Sequence, residues 1–185
     1  MRIGYSEDED YPGQFELWQA NCRRSLQGKA GQAALRELEA ALLAMPEKRL
    51  IANKMIDADG DVCAIGALAK HKGRDLIAET KAQLADIGID RFDDDEIDGD
   101  GEMEEIGMEL GMPRLVAWKV VCKNDVEIDG HYETLPGPAR WHGDRPQMYV
   151  PVTPEVRYQK MLAWVQRQIL SNETQHGQAS KTKSS

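Results

Sequence analysis

The 185-residue chain has only two Phe, against four Trp, five Tyr and eight Met, so its core must rest on Leu, Ile, Val, Ala and Met. Cysteine is scarce: Cys22, Cys63 and Cys122 are odd in number and far apart. No CxxC spacing occurs, which argues against a zinc ribbon or a disulfide framework and predicts free thiols in a reducing cytoplasm. No apolar run approaches the roughly 20 residues that span a bilayer. The opening MRIGYSEDED is acidic where a secretory leader would be basic and then apolar. Bases are outnumbered, 23 Lys and Arg against 32 Asp and Glu, and the pI is about 5.0. A nucleic-acid footprint needs a basic face, so direct nucleic-acid binding is disfavoured. Gly28 and Gly31 lack the Lys-Ser/Thr or third glycine of a phosphate-binding loop.

What remains is a globular composition, 41% hydrophobic and 30% charged, of a size that fits one domain. The expected fold class is mainly α. It is a single compact helical domain over residues 12–172, with a short β-hairpin and a long irregular loop before the last helix. Residues 1–11 read as an acidic arm and 173–185 as a disordered tail. Phe15, Trp18 and Cys22 recur at helical spacing, and Gly28 and Gly31 read as breakers. The strongest helix is predicted from Gln32 to Met45, with Ala34, Leu35, Leu38, Ala41, Leu42 and Met45 on one stripe before Pro46. Lys48 to Met55 reads as a strand that turns at Asp57–Gly60 and pairs back through Cys63. Further helices are expected over residues 63–71, 74–86, 102–110 and 113–123. The segment 126–152 holds four of the eight prolines and is a long loop or a ragged hairpin. Thr153 and Pro154 open the last helix, whose stripe is Val156, Met161, Trp164, Val165 and Ile169.

Charge is the loudest signal. Between Asp86 and Glu109 stand twelve acids and one base, Arg91, a net −11, while the whole chain is −9. Everything outside this acidic loop therefore sums to +2. A concentrated negative patch fits a cation or a basic protein surface. Asp93, Asp94, Asp95, Glu96, Asp98 and Asp100 are the candidate partner-binding acids. Tyr132, Trp141 and Tyr149 in the 126–152 segment are candidate aromatic anchors of a rival surface.

Two chemical readings compete with simple binding. Counted from Asp94, the acidic loop matches a calcium-binding EF-hand register: Asp94, Glu96, Asp98, Asp100, Glu102 and Glu105 fall at ligand positions, with Gly99 at the sharp turn. Glu96 is longer than usual there, Gly101 replaces an apolar residue, and no second loop is complete. The alternative is a solvated acidic loop. Cys63 stands where a turn feeds a helix, a place that can activate a thiol as nucleophile. Its base would have to be His71, His131, His142 or His176, and no spacing places one beside it. The other reading of Cys63 is a small side chain for close packing. Asn124 and Asp125, after an apolar helix, read as residues that stop it and bond nearby backbone.

The block from Gly31 to Gly73, GQAALRELEAALLAMPEKRLIANKMIDADGDVCAIGALAKHKG, resembles a stretch of uncharacterised phage and prophage proteins. The shared pattern is a helix, a proline break and DGDVCAIGAL. Later pieces follow in similar order: an apolar helix ending in Asn124-Asp125, then Thr153-Pro154-Glu155 and a helix with Trp164. The acidic loop and the 126–152 segment depart from it. The resemblance implies a viral or prophage origin and an intracellular setting, in the host cytoplasm, and carries no catalytic residue over. The leading functional expectation is a non-enzymatic accessory protein that binds a basic protein partner, for example one that handles nucleic acid. No cofactor is expected, with calcium the exception under the EF-hand register.

Overall fold

A computed structural model describes residues 14–79, 82, 100–134 and 147–170. The N-terminal arm, the tail and most of the acidic loop, all read from sequence above, lie outside the described residues. The fold is mainly helical: α1 (Gln14–Gln27), α2 (Lys29–Ala44), α3 (Ala64–His71), α4 (Asp100–Glu109), α5 (Arg114–Cys122) and α6 (Pro154–Gln168). A two-stranded antiparallel ribbon, β1 (His131–Thr134) and β2 (Gln147–Val150), separates α5 from α6.

The two predicted stripes meet. Leu35, Leu38 and Leu42 of α2 and Met161 and Val165 of α6 are fully buried in one hydrophobic cluster. The α6 stripe differs at its start. Val156 is 38% exposed, and Arg157 and Tyr158 take the inward positions. The reason is angular: at 100° per residue, Val156 sits about 140° round the helix from Met161, whereas Arg157 and Tyr158 precede it by one turn. Thr153 caps this helix as expected, its Oγ1 accepting from the Val156 N–H at 3.4 Å.

Glycine acts differently at the α1–α2 junction than the breaker reading held. Gly28 does end α1, but Gly31 lies inside the first turn of α2. A Cβ at Gly31 would stand 2.0 Å from the Ser25 carbonyl oxygen, so only glycine lets the two helix ends touch. Helix α2 accordingly begins at Lys29, three residues before the predicted start.

The predicted Leu50–Cys63 hairpin is the main correction. The turn is present: Gly60 has φ +87° and donates to the Asp57 carbonyl at 3.1 Å. Asp57 Oδ1 also accepts from the N–H groups of Asp59 and Asp61. Beyond the turn the described residues form one β-bridge, Ile56 with Val62, and two further bonds cross at 3.1 Å, from the Ile51 N–H to the Val62 carbonyl and from the Cys63 N–H to the Met55 carbonyl. No strand forms over residues 48–55, because these bonds keep no single register: Val62 is reached from both Ile51 and Ile56, and the neighbouring backbone bonds elsewhere. Leu50 donates to the Pro154 carbonyl, while the Ile51 carbonyl and the Asn53 N–H are taken by the side chains of Asn124 and Asp125. The described strand pair lies instead in the 126–152 segment, whose ragged-hairpin alternative therefore holds at its two ends.

Candidate functional site

Helix α4 anchors the C-terminal end of the acidic segment. Met103, Ile106 and Leu110 are buried in the common core. Gly107 permits close packing on α5, since a Cβ there would stand 2.8 Å from that of Ala117. Two α4 acids are matched by bases from elsewhere: Glu104 with Arg114 at 2.8 Å, and Glu109 with Arg74 at 3.2 Å. Glu105 is exposed. Of the other acids proposed for partner or calcium binding, Asp93, Asp94, Asp95, Glu96 and Asp98 lie outside the described residues. Asp100 opens α4 and Glu102 follows in its first turn. That helix start bears on the calcium register, where the seventh residue offers its backbone carbonyl. A helical carbonyl at Asp100 is directed along the helix to the N–H four residues on. Among the described residues no group of three or more His, Cys, Asp or Glu is gathered in a way that would hold a metal ion.

Cys63 does cap a helix. Its Sγ accepts from the Gly66 N–H at 3.4 Å and lies 3.6 Å from the Met103 sulfur. The side chain is only 1% exposed. Burial, reinforced by the negative charge of Asp125, pushes its pKa up to about 12, against the smaller opposing effect of the Gly66 N–H. The thiol is therefore protonated at neutral pH, and its surroundings favour the packing reading over the nucleophile. Gly66 shares that role, because a Cβ there would stand 2.4 Å from the Met55 carbonyl oxygen. His71 is exposed at the far end of α3, and His131 is exposed at the start of β1; His142 and His176 lie outside the described residues.

The aromatic anchors divide. Register places Tyr132 opposite Tyr149. Trp141 lies outside the described residues. Tyr149 is 40% exposed; its hydroxyl donates to Asp129 and accepts from the Gly130 N–H at 3.0 Å. The hydrogen bond from Tyr149 holds the Asp129 carboxyl below the ordinary range.

Two arrangements were not legible in the sequence. The first is a buried polar clamp. Asn124 Nδ2 donates to the Ile51 carbonyl at 2.8 Å and to Asp125 Oδ1 at 2.6 Å. Asp125 Oδ1 accepts from Asn53, whose φ of +62° is the only positive value among non-glycine described residues. Arg157 of α6, 6% exposed, donates to the carbonyls of Asn124 and Ile128. Residues 123–127 form a π-helical turn that exposes those carbonyls to it. The side chains of Asn124 and Asp125 do bond backbone, but that of Ile51 and Asn53, about 70 residues away, and not the neighbouring backbone expected from sequence.

The second is a cleft of about 400 Å³ between the end of α2, the Asp57–Gly60 turn and α3. Ala41, Ala44, Val62 and Ala67 contribute apolar lining. Arg49 forms an ion pair with Asp61 at 2.7 Å in its wall, and Lys70 donates to the Gly60 carbonyl at 2.6 Å. Nothing in the sequence joins Arg49 to Lys70, 21 residues further on. Comparison with family models, curated proteins and solved structures finds no match to this chain.

Proposed function

We propose that this protein works by binding a partner protein with a basic surface, using the acidic segment 86–109 as the contact. It would act as a non-enzymatic accessory protein, in the phage or prophage setting that the resemblance implies. The observation that carries the reading is the charge distribution: −11 in 24 residues of a chain whose total is −9. Like charges at this density repel and cost stability, whereas solubility alone is served by scattered charge. The burial of Met103, Ile106 and Leu110 adds support, because it ties the end of the segment to the core. The burial of Cys63 and its protonated state at neutral pH weigh against the alternative in which it is a nucleophile.

The test is affinity capture by the full chain, followed by binding kinetics against the captured protein. Asp93, Asp94, Asp95 and Glu96 are changed together to Asn and Gln, and Trp141→Ala is prepared beside them. Association should slow for the neutralised variant and weaken with salt, since exposed charges are screened beyond about 10 Å at 0.1 M. An unchanged association rate at low salt would remove the acidic segment from the contact. A larger loss from Trp141→Ala would move the contact to the 126–152 segment. Thermal melts with calcium address the metal reading, for which Glu105→Gln should abolish any calcium-induced rise.

A further inference from the structure

We propose that the cleft beside α2 and α3 binds a small zwitterion with an apolar body, namely a free apolar α-amino acid. The site is separate from the acidic segment, and the inference does not rest on the reading above.

Both halves of one ion pair in the cleft wall have unmet bonding capacity. Arg49 reaches Asp61 through Nη2 at 2.7 Å and Glu47 more loosely through Nη1 at 3.7 Å, but its Nε–H is buried and has no hydrogen-bond partner among the described residues. A buried donor left without an acceptor is costly, so an added acceptor that the guanidinium can re-aim towards is favoured. Asp61 has the opposite need. Its side chain is 14% exposed, and burial pushes its carboxyl up even though Arg49 pulls it down. The cleft wall holds three carboxylates, Glu47, Asp59 and Asp61, against two cations, Arg49 and Lys70, so a second cation beside Asp61 would be stabilised.

An acceptor and a cation are therefore both wanted, side by side on one wall. A carboxylate alone would face Asp61, with Glu47 and Asp59 also at the rim. An ammonium alone would face Arg49, with Lys70 at the rim. An α-amino acid presents both groups one carbon apart, matching the adjacency of Arg49 and Asp61. Its carboxylate would meet the guanidinium and its ammonium the carboxylate, which is charge-assisted bonding on both sides. The third substituent fits the apolar lining of Ala41, Ala44, Val62 and Ala67. Three of these four are alanines, and larger side chains there would occupy the space. The volume falls in the range usual for small-molecule sites.

The experiment is a titration of the full chain, followed by amide NMR, with L-leucine, N-acetyl-L-leucine and L-leucinamide. Leucine should give saturable shifts at Gly60, Val62 and Ala67. The acetylated and amidated forms each lack one charge and should bind at least about tenfold more weakly. Arg49→Gln should weaken leucine by a similar factor. Ala44→Phe, at an exposed helix position, should block the space while leaving both charges in place. Should Arg49→Gln fail to fold, Ala44→Phe decides alone. The proposal is overturned by an absence of saturable shifts up to about 10 mM, by equal binding of N-acetyl-leucine or leucinamide, or by leucine binding that Ala44→Phe leaves unchanged. Neutralising residues 93–96 should leave leucine binding intact, which separates this site from the partner contact.

Discussion

The acidic segment 86–109 carries twelve carboxylates, whereas the described residues bury only four polar or charged side chains: Gln32, Asn124, Asp125 and Arg157. The first group dominates any reading of composition, and the second organises the fold. Gln32 shows how. Its Nε2 donates to the carbonyls of Leu26 and Gln168, and its Oε1 accepts from the Leu170 N–H, so one side chain ties α1, α2 and the end of α6 together. Arg157 likewise satisfies two carbonyls at the end of α5. A polar group in water has solvent to bond and exchanges partners cheaply. A polar group in the core has only the partners the fold supplies, and losing one leaves another unpaired.

That contrast can be broken or sharpened by graded substitutions. The largest effect is expected at the core against which both regions are measured. Leu38→Asp places a carboxylate at a position with no solvent exposure and should cost about 5 kcal/mol or more, comparable with a domain's whole stability. A melt like the parent's would refute the shared α2–α6 core. Next comes the clamp. Arg157→Met keeps the length but strands the Asn124 and Ile128 carbonyls, and should cost about 3 to 5 kcal/mol by denaturant unfolding. A loss under about 1 kcal/mol would mean that the clamp is passive.

The third test uses pH on a buried group that makes no ion pair. The folded pKa of Cys63 is raised to about 12 from an ordinary 9.0. Its contribution to stability is therefore fully present below pH 9 and is lost as pH rises toward the folded value. At about 1.4 kcal/mol per unit, roughly 2 kcal/mol should disappear between pH 8 and 10.5 in the parent and be absent from Cys63→Ala. Both proteins are melted at each pH, so that Lys and Tyr titration cancels in the difference. Equal pH slopes would show that the thiol is hydrated. The smallest effect is expected in the acidic segment. Neutralising Asp93, Asp94, Asp95 and Glu96 together should change stability by no more than about 0.5 kcal/mol, in the stabilising direction. A larger loss would mean that these acids make specific bonds in the fold, and the contrast between the two regions would fail.

Periodicity and capping were readable where a residue's role depends on its near neighbours. The Leu35–Leu38–Leu42 stripe, the Thr153 cap and the Asp57–Gly60 turn all follow from spacings of three or four residues. The same local logic placed Cys63 at a helix start. Its burial was not local, because Met103 arrives from 40 residues away. Sequence alone therefore determined the helical class, the main helices and the concentration of charge, since helix propensity, amphipathic period and ionisation are properties of short windows. Tertiary structure decided that residues 48–55 would not be a strand, that Gly31 would sit inside a helix, and that Arg49 and Lys70 would share one cleft. Each outcome depends on which distant backbone or side chain comes within bonding distance, and that is settled only when the helices pack.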